Sequence, residues 1–137
     1  MEDLKIKELA ELLDITKEEA KQKIDNGDYL VLTEEEADEK TAEYIKESAW
    51  AFNTSFIISH SKVKDIESNW LYEQAEKSLQ KLQENECEGA NDLILAMIED
   101  IDEFIEDAIA CDGRGHFLAS YDGEELETEH FLVYRVN

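Results

Sequence analysis

The residues of this 137-residue chain whose type and spacing could do chemistry are carboxylates. Between Asp92 and Asp107 seven acids, Asp92, Glu99, Asp100, Asp102, Glu103, Glu106 and Asp107, occur without a single base. A solvated helix face ordinarily mixes signs, because Glu–Lys pairs at i, i+4 add about 0.2–0.5 kcal/mol each and like charges subtract similar amounts. Carboxylates three or four residues apart on a helix lie about 5–6 Å from one another. Duplex DNA carries one charge per ~1.7 Å of axis over both strands, so a rigid row of carboxylates at this pitch imitates the phosphates of one strand. A lysine-rich groove would be drawn to it, and these seven acids are the predicted partner-binding residues. The competing account is a solvated face that happens to lack lysine.

Totals point the same way. Thirty-six acids against 13 bases leave a net charge of −23, and the last 55 residues hold 16 acids against only Arg114 and Arg135, a net of −14. A field of that sign repels phosphate backbones and anionic membranes over roughly a Debye length of ~8 Å. Direct binding to nucleic acid or to a membrane is not expected, and solubility is the simpler use of such charge. A second acidic run, Glu34, Glu35, Glu36, Asp38 and Glu39, is diluted by Lys40 and Lys46 and reads as helix-start acids complementing the macrodipole.

Carboxylates can also hold metal. Glu35-Glu36-Ala37-Asp38-Glu39 resembles the EExxE half of the MazG-type nucleotide pyrophosphohydrolase pattern, whose carboxylates bind Mg²⁺, and Glu99 with Asp102 resembles its ExxD half. The gap between them, about 60 residues, is far longer than that pattern normally allows, and such matches are cheap in a chain this acidic. A Mg²⁺-dependent pyrophosphohydrolase is thus a second alternative. The ExxH at Glu127 and His130 is a single copy beside a strand, where di-iron chemistry needs two on helices. Gly113-Arg114-Gly115 is too short to cradle a phosphate, and His60 and His116 stand alone. Cys87 and Cys111 form no CxxC and have no nearby His, as expected of ordinary thiols. No catalytic residue, metal or cofactor is expected.

The elements that must position these residues follow from periodicity. Leu4 to Leu13 is predicted helical. Thr16 with Glu19 and Thr33 with Glu36 are capping-box spacings that open two further helices, with Asn26-Gly27 closing the first of them. Tyr29 to Leu32 reads as a short strand. Lys62 to Leu82 reads as a long helix with Val63, Ile66, Trp70, Leu71, Ala75, Leu79 and Leu82 as its stripe, and Gln83 to Gly89 as a polar loop. Asn91 is the expected N-cap of the most strongly patterned helix, which runs to about Ala110. Beyond it His116 to Ala119 and Phe131 to Val136 read as strands joined by a turn at Asp122-Gly123.

The fold class expected is α+β, mostly helical with about four helices and a small C-terminal antiparallel hairpin or sheet. One domain is expected over 1–137: helical hairpin plus strand over 1–33, helical core over 34–110, β-hairpin over 111–137. Leu9 to Thr33 is similar to the small helix-turn-helix of excisionase-type modules, but its would-be reading helix, Lys17 to Ile24, also carries Glu18 and Glu19, so packing is the preferred role.

Gly113-Arg114-Gly115-His116-Phe117-Leu118-Ala119-Ser120-Tyr121-Asp122-Gly123-Glu124-Glu125, followed by Tyr134-Arg135-Val136-Asn137, resembles the tail of small acidic proteins encoded by bacteriophages and other mobile elements. Tyr29 to Glu39 and Trp50-Ala51-Phe52-Asn53 are similar to their middle part. The resemblance brings no activity or catalytic residues; it implies a phage origin and a bacterial cytoplasmic location, with no export or membrane-insertion signal read in the chain. Joined to the charge, it gives the leading expectation: an inhibitor, not an enzyme, that imitates DNA or RNA to a basic host protein such as a CRISPR effector or restriction enzyme. The alternative is a phage regulatory or accessory module that binds through apolar helix faces.

Overall fold

The computed structural model describes residues 1–137. In chain order the elements are α1 (Glu2–Leu13), α2 (Lys17–Asp25), β1 (Tyr29–Leu32), α3 (Glu34–Glu47), α4 (Thr54–Ser59), α5 (Asn69–Glu86), α6 (Asn91–Met97), α7 (Ile101–Asp112), α8 (Arg114–Leu118), β2 (Leu126–Glu127) and β3 (Leu132–Arg135), with 3-10 turns at Ala49–Ala51 and Cys87–Ala90. The class is mixed α+β and mostly helical, with eight α-helices where about four were expected. The extra ones are α4, which starts at an Asn53 cap, the division of one expected helix into α6 and α7 at an Asp100 cap, and α8, where a strand was expected. None of the helices is long and apolar enough to cross a membrane. The chain forms two compact units, Met1–Ala42 with Cys111–Asn137, and Glu43–Ala110.

In the first unit both capping spacings act as expected. Thr16 Oγ1 accepts the Glu19 N–H at 3.1 Å, and at Thr33 the exchange is reciprocal: its Oγ1 accepts the Glu36 N–H at 3.2 Å while Glu36 Oε1 accepts the Thr33 N–H at 3.0 Å. Each satisfies donors that a helix start leaves without partners. The sheet order is β1-β3-β2, antiparallel throughout, with Tyr29 opposite Arg135 and Leu126 opposite Val133. Because side chains alternate along a strand, β3 is buried on both sides. Val133 packs with Leu9, Ala10, Ala20, Val31 and Phe131, whereas Leu132 and Tyr134 pack with Ala37, Leu118 and Ala119.

His116 to Ala119 is not a strand. It belongs to α8 and its end, where Phe117, Leu118 and Ala119 are buried in succession and the Ala119 N–H donates to the Gly115 carbonyl at 2.9 Å, a helical bond. Gly115 explains the helix's position, since a Cβ there would stand 2.5 Å from the Gly123 carbonyl oxygen. Asp122-Gly123 does not turn the hairpin either. Gly123 donates to the Ala119 carbonyl at 2.7 Å and Asp122 Oδ1 accepts from Glu124, closing α8 onto the following loop. The hairpin turn is Thr128 to Phe131, closed by the Thr128 N–H on the Phe131 carbonyl at 2.9 Å.

In the second unit, Ile45, Ala49, Ile57, Ile58, Leu79, Ile94, Ile98 and Phe104 are buried, and Phe52, Phe56 and Phe104 stack within 5.7 Å of one another. Two expectations are corrected. The long helix begins at Asn69, not Lys62, because Ser68 Oγ accepts the Leu71 N–H and Ser61 forms a β-bridge with Ile98 that holds the preceding segment in turns. It continues through Glu86, so Gln83 to Glu86 is helix and not loop.

The helix expected from Asn91 to Ala110 is interrupted at 98–100, dividing α6 from α7. Asn91 does not cap it. Its Oδ1 accepts the Trp50 N–H at 3.0 Å and its Nδ2 donates to the Lys46 carbonyl at 2.7 Å.

Candidate partner-binding site

The break between α6 and α7 sets the geometry of the acidic row. Ile98 leaves the helix in extended conformation with its side chain buried, and the backbone on either side is stitched to the end of α4: Lys62 N–H donates to the Met97 carbonyl at 3.1 Å and Glu99 N–H to the His60 carbonyl at 2.9 Å. Asp100 then restarts the helix, its Oδ1 accepting the N–H groups of Asp102 and Glu103 at 3.1 and 3.2 Å. This is an Asp N-cap, worth about 1 kcal/mol. From it α7 buries Phe104, Ile105 and Ala108 and leaves Asp102, Glu103 and Glu106 exposed.

The seven acids are therefore neither one rod nor one kind of group. Asp92 lies in the first turn of α6, Glu99 and Asp100 in the connection, and the other four on α7. Three have intramolecular roles: Asp100 caps α7, Glu99 holds Lys64, and Asp107 holds His60 at 2.6 Å. Asp92, Asp102, Glu103 and Glu106 are exposed and enter no ion pair. The positive end of the α7 dipole favours Asp102 and Glu103, but nothing in the helix compensates Glu106, and its last turn carries no base.

A groove of about 510 Å³ opens beside this edge, lined by His60, Lys64, Glu99, Asp100 and Glu103. His60 is its one largely buried titratable group. Nδ1 lies 2.9 Å from the Phe56 carbonyl oxygen and 3.1 Å from Ser59 Oγ, and Nε2 2.6 Å from Asp107 Oδ2; a carbonyl and a carboxylate facing the two nitrogens favour the doubly protonated, charged ring. Burial works against that charge, but the Phe56 carbonyl, Asp107 and nearby Glu103 outweigh it and raise the ring's pKa. Sequence reasoning set His60 aside as isolated, since Asp107 is 47 residues away.

The remaining carboxylate motifs are structural. Glu36 is held by Thr33 and by Lys5 at 3.0 Å, and Asp38 by Arg114 at 2.9 Å. No group of three or more His, Cys, Asp or Glu side chains is placed to hold a metal ion. In the ExxH, His130 turns away to Glu8, a buried carboxylate in α1. Glu8 Oε1 also accepts the Thr128 hydroxyl at 2.6 Å and the His130 N–H at 2.8 Å. Burial would raise its pKa, yet these hydrogen bonds lower it on balance.

Within the Gly113 to Glu125 stretch, Arg114 binds Asp38 and Glu125, and the buried Tyr134 donates its hydroxyl to Glu125. No protein-family model, curated protein or solved structure matches the chain.

Proposed function

We propose that the chain is a phage-encoded, non-enzymatic inhibitor that presents the acidic edge of its second unit to the nucleic-acid-binding groove of a basic host defence protein, of the CRISPR-effector or restriction-enzyme kind. The observation that carries this reading is the exposure, outside any ion pair, of Asp102, Glu103 and Glu106 on α7, with Asp92 on α6. Lys64, the one lysine lining the groove beside them, is held by Glu99, and α7 itself carries no base. The likeness of the Gly113 to Glu125 segment to phage-encoded proteins supplies the setting.

The break at Ile98 divides the acids, leaving Asp92 alone on α6 and Asp102, Glu103 and Glu106 on α7, so the edge offered to a partner is chiefly that of α7. Attraction to a basic groove speeds encounter and makes affinity fall with salt. DNA cleavage by purified effectors and restriction enzymes tests it, with the protein added at roughly 0.1 and 0.5 M salt. Inhibition of at least one enzyme at the lower salt that is lost at the higher is expected. Inhibition of none, or inhibition indifferent to salt, contradicts the proposal.

A further inference from the structure

The second unit leaves a second kind of surface unused. Val63, Trp70 and Leu71 expose 40%, 66% and 49% of their area within nine residues of chain. α5, 18 residues long, has only Leu79 in its fully buried set. Tryptophan is among the residues most enriched where protein partners bind tightly, because it combines large apolar area with few rotatable bonds.

The charges around the patch restrict what could cover it. Asp65, Glu67 and Glu73 are exposed and enter no ion pair. The two lysines of the stretch turn back into their own unit, Lys62 to the Ala96 carbonyl at 3.4 Å and Lys64 to Glu99. Exposed Trp70 and Leu71, with uncompensated Glu67 before them in the chain and Glu73 one helical turn from Trp70, are complementary to a segment that offers an aliphatic or aromatic side chain flanked by lysine or arginine. A second copy of the chain, bringing the same acids and a charge of −23, is the least suitable occupant.

We infer that Trp70, with Leu71 beside it at the start of α5, is a docking surface for a basic, apolar-anchored segment of a partner protein. The inference rests on the reading that the partner is basic, and adds that charge alone does not hold it. Two synthetic peptides of equal positive charge test it at about 0.15 M salt, one of lysine and leucine in amphipathic order and one with each leucine replaced by serine. Binding is followed by the anisotropy of a dye on the peptide.

The leucine peptide is expected to bind at least about tenfold more tightly to the native protein, a difference of about 1.4 kcal/mol. Trp70→Ser, at a position already two-thirds exposed, should bring the two peptides to the same affinity. In a Trp50→Phe protein, whose only tryptophan is Trp70, the emission should move to shorter wavelength as the leucine peptide binds. Equal affinity of the two peptides for the native protein, or affinity unchanged by Trp70→Ser, overturns the inference while leaving salt-dependent binding to stand. Leucine preference with an affinity that does not weaken when the salt is raised to roughly 0.5 M would overturn the basic character assigned to the partner, and with it both the acidic reading and this inference.

Discussion

His60 and Asp107 share a 2.6 Å hydrogen bond between Nε2 and Oδ2 that ties α4 to α7, and the ring's other nitrogen lies 2.9 Å from the Phe56 carbonyl. The ring also packs against Phe56 and, edge-on, against Phe104, with centroids 4.6 and 5.4 Å away. A histidine among aromatics and acceptors gives stability a pH dependence whose sign can be tested. Its folded pKa is raised above an unfolded value near 6.5, so the stabilisation is complete below about pH 6.5 and is lost as pH rises through the folded pKa.

We expect ring-proton NMR to place the His60 titration above 6.5, and Asp107→Asn to move it down. The native protein should lose about 1 kcal/mol of stability across that window, a modest figure because Asp107 is half exposed. His60→Phe should flatten this part of the stability profile; an unchanged profile would show that the pair is not charged.

Glu8 has the opposite sign. Its folded pKa is lowered, so its contribution is present above about pH 4.5 and disappears as pH falls through the folded value. Glu8→Ala leaves the His130 N–H without its acceptor and the Thr128 hydroxyl with only the Phe131 carbonyl at 3.3 Å, and should cost about 2 kcal/mol in urea unfolding at neutral pH. Glu8→Gln should cost less and reduce the acid sensitivity of the first unit.

Gly115 and Gly113 separate two reasons for glycine. A Cβ at Gly115 would meet the Gly123 carbonyl oxygen at 2.5 Å and the Glu125 nitrogen at 3.1 Å, both backbone, so Gly115→Ala should cost about 2–3 kcal/mol. At Gly113 nothing lies within 4 Å and only the φ of +82° opposes a side chain, so Gly113→Ala should cost about 1 kcal/mol. Thermal unfolding of the two variants gives the order directly; a reversal would contradict the packing of α8 on the Gly123 to Glu125 backbone.

These contrasts mark what the sequence could and could not reveal. The capping boxes at Thr16 and Thr33 were legible because both partners lie three residues apart, and β1 because Tyr29 to Leu32 is a short apolar run between turns. His116 to Ala119 is helix where a strand was expected because an apolar run of three, Phe117 to Ala119, suits a buried helix end equally well, and the approach of Gly115 to Gly123 favours the helix. The break at Ile98 was hidden for a similar reason: the apolar period continues through it, while the Ser61 bridge that stabilises it comes from 37 residues earlier. The acidic row was visible as composition, but its division into capped, paired and free carboxylates depends on Lys64 and His60, neither near it in sequence.

If the α7 edge, and not the net charge, carries binding, two proteins that have each lost three negative charges will differ in inhibition of a susceptible effector or restriction enzyme. One carries Asp102→Asn, Glu103→Gln and Glu106→Gln; the other carries Glu11→Gln, Glu18→Gln and Glu39→Gln, at exposed positions of the first unit that make no ion pair. The α7 variant is expected to need at least about tenfold more protein for the same inhibition and to show a shallower dependence on salt, while the control stays within about twofold of the native chain. Equal losses in the two variants would contradict the claim and reduce the acidity to a property of the whole surface.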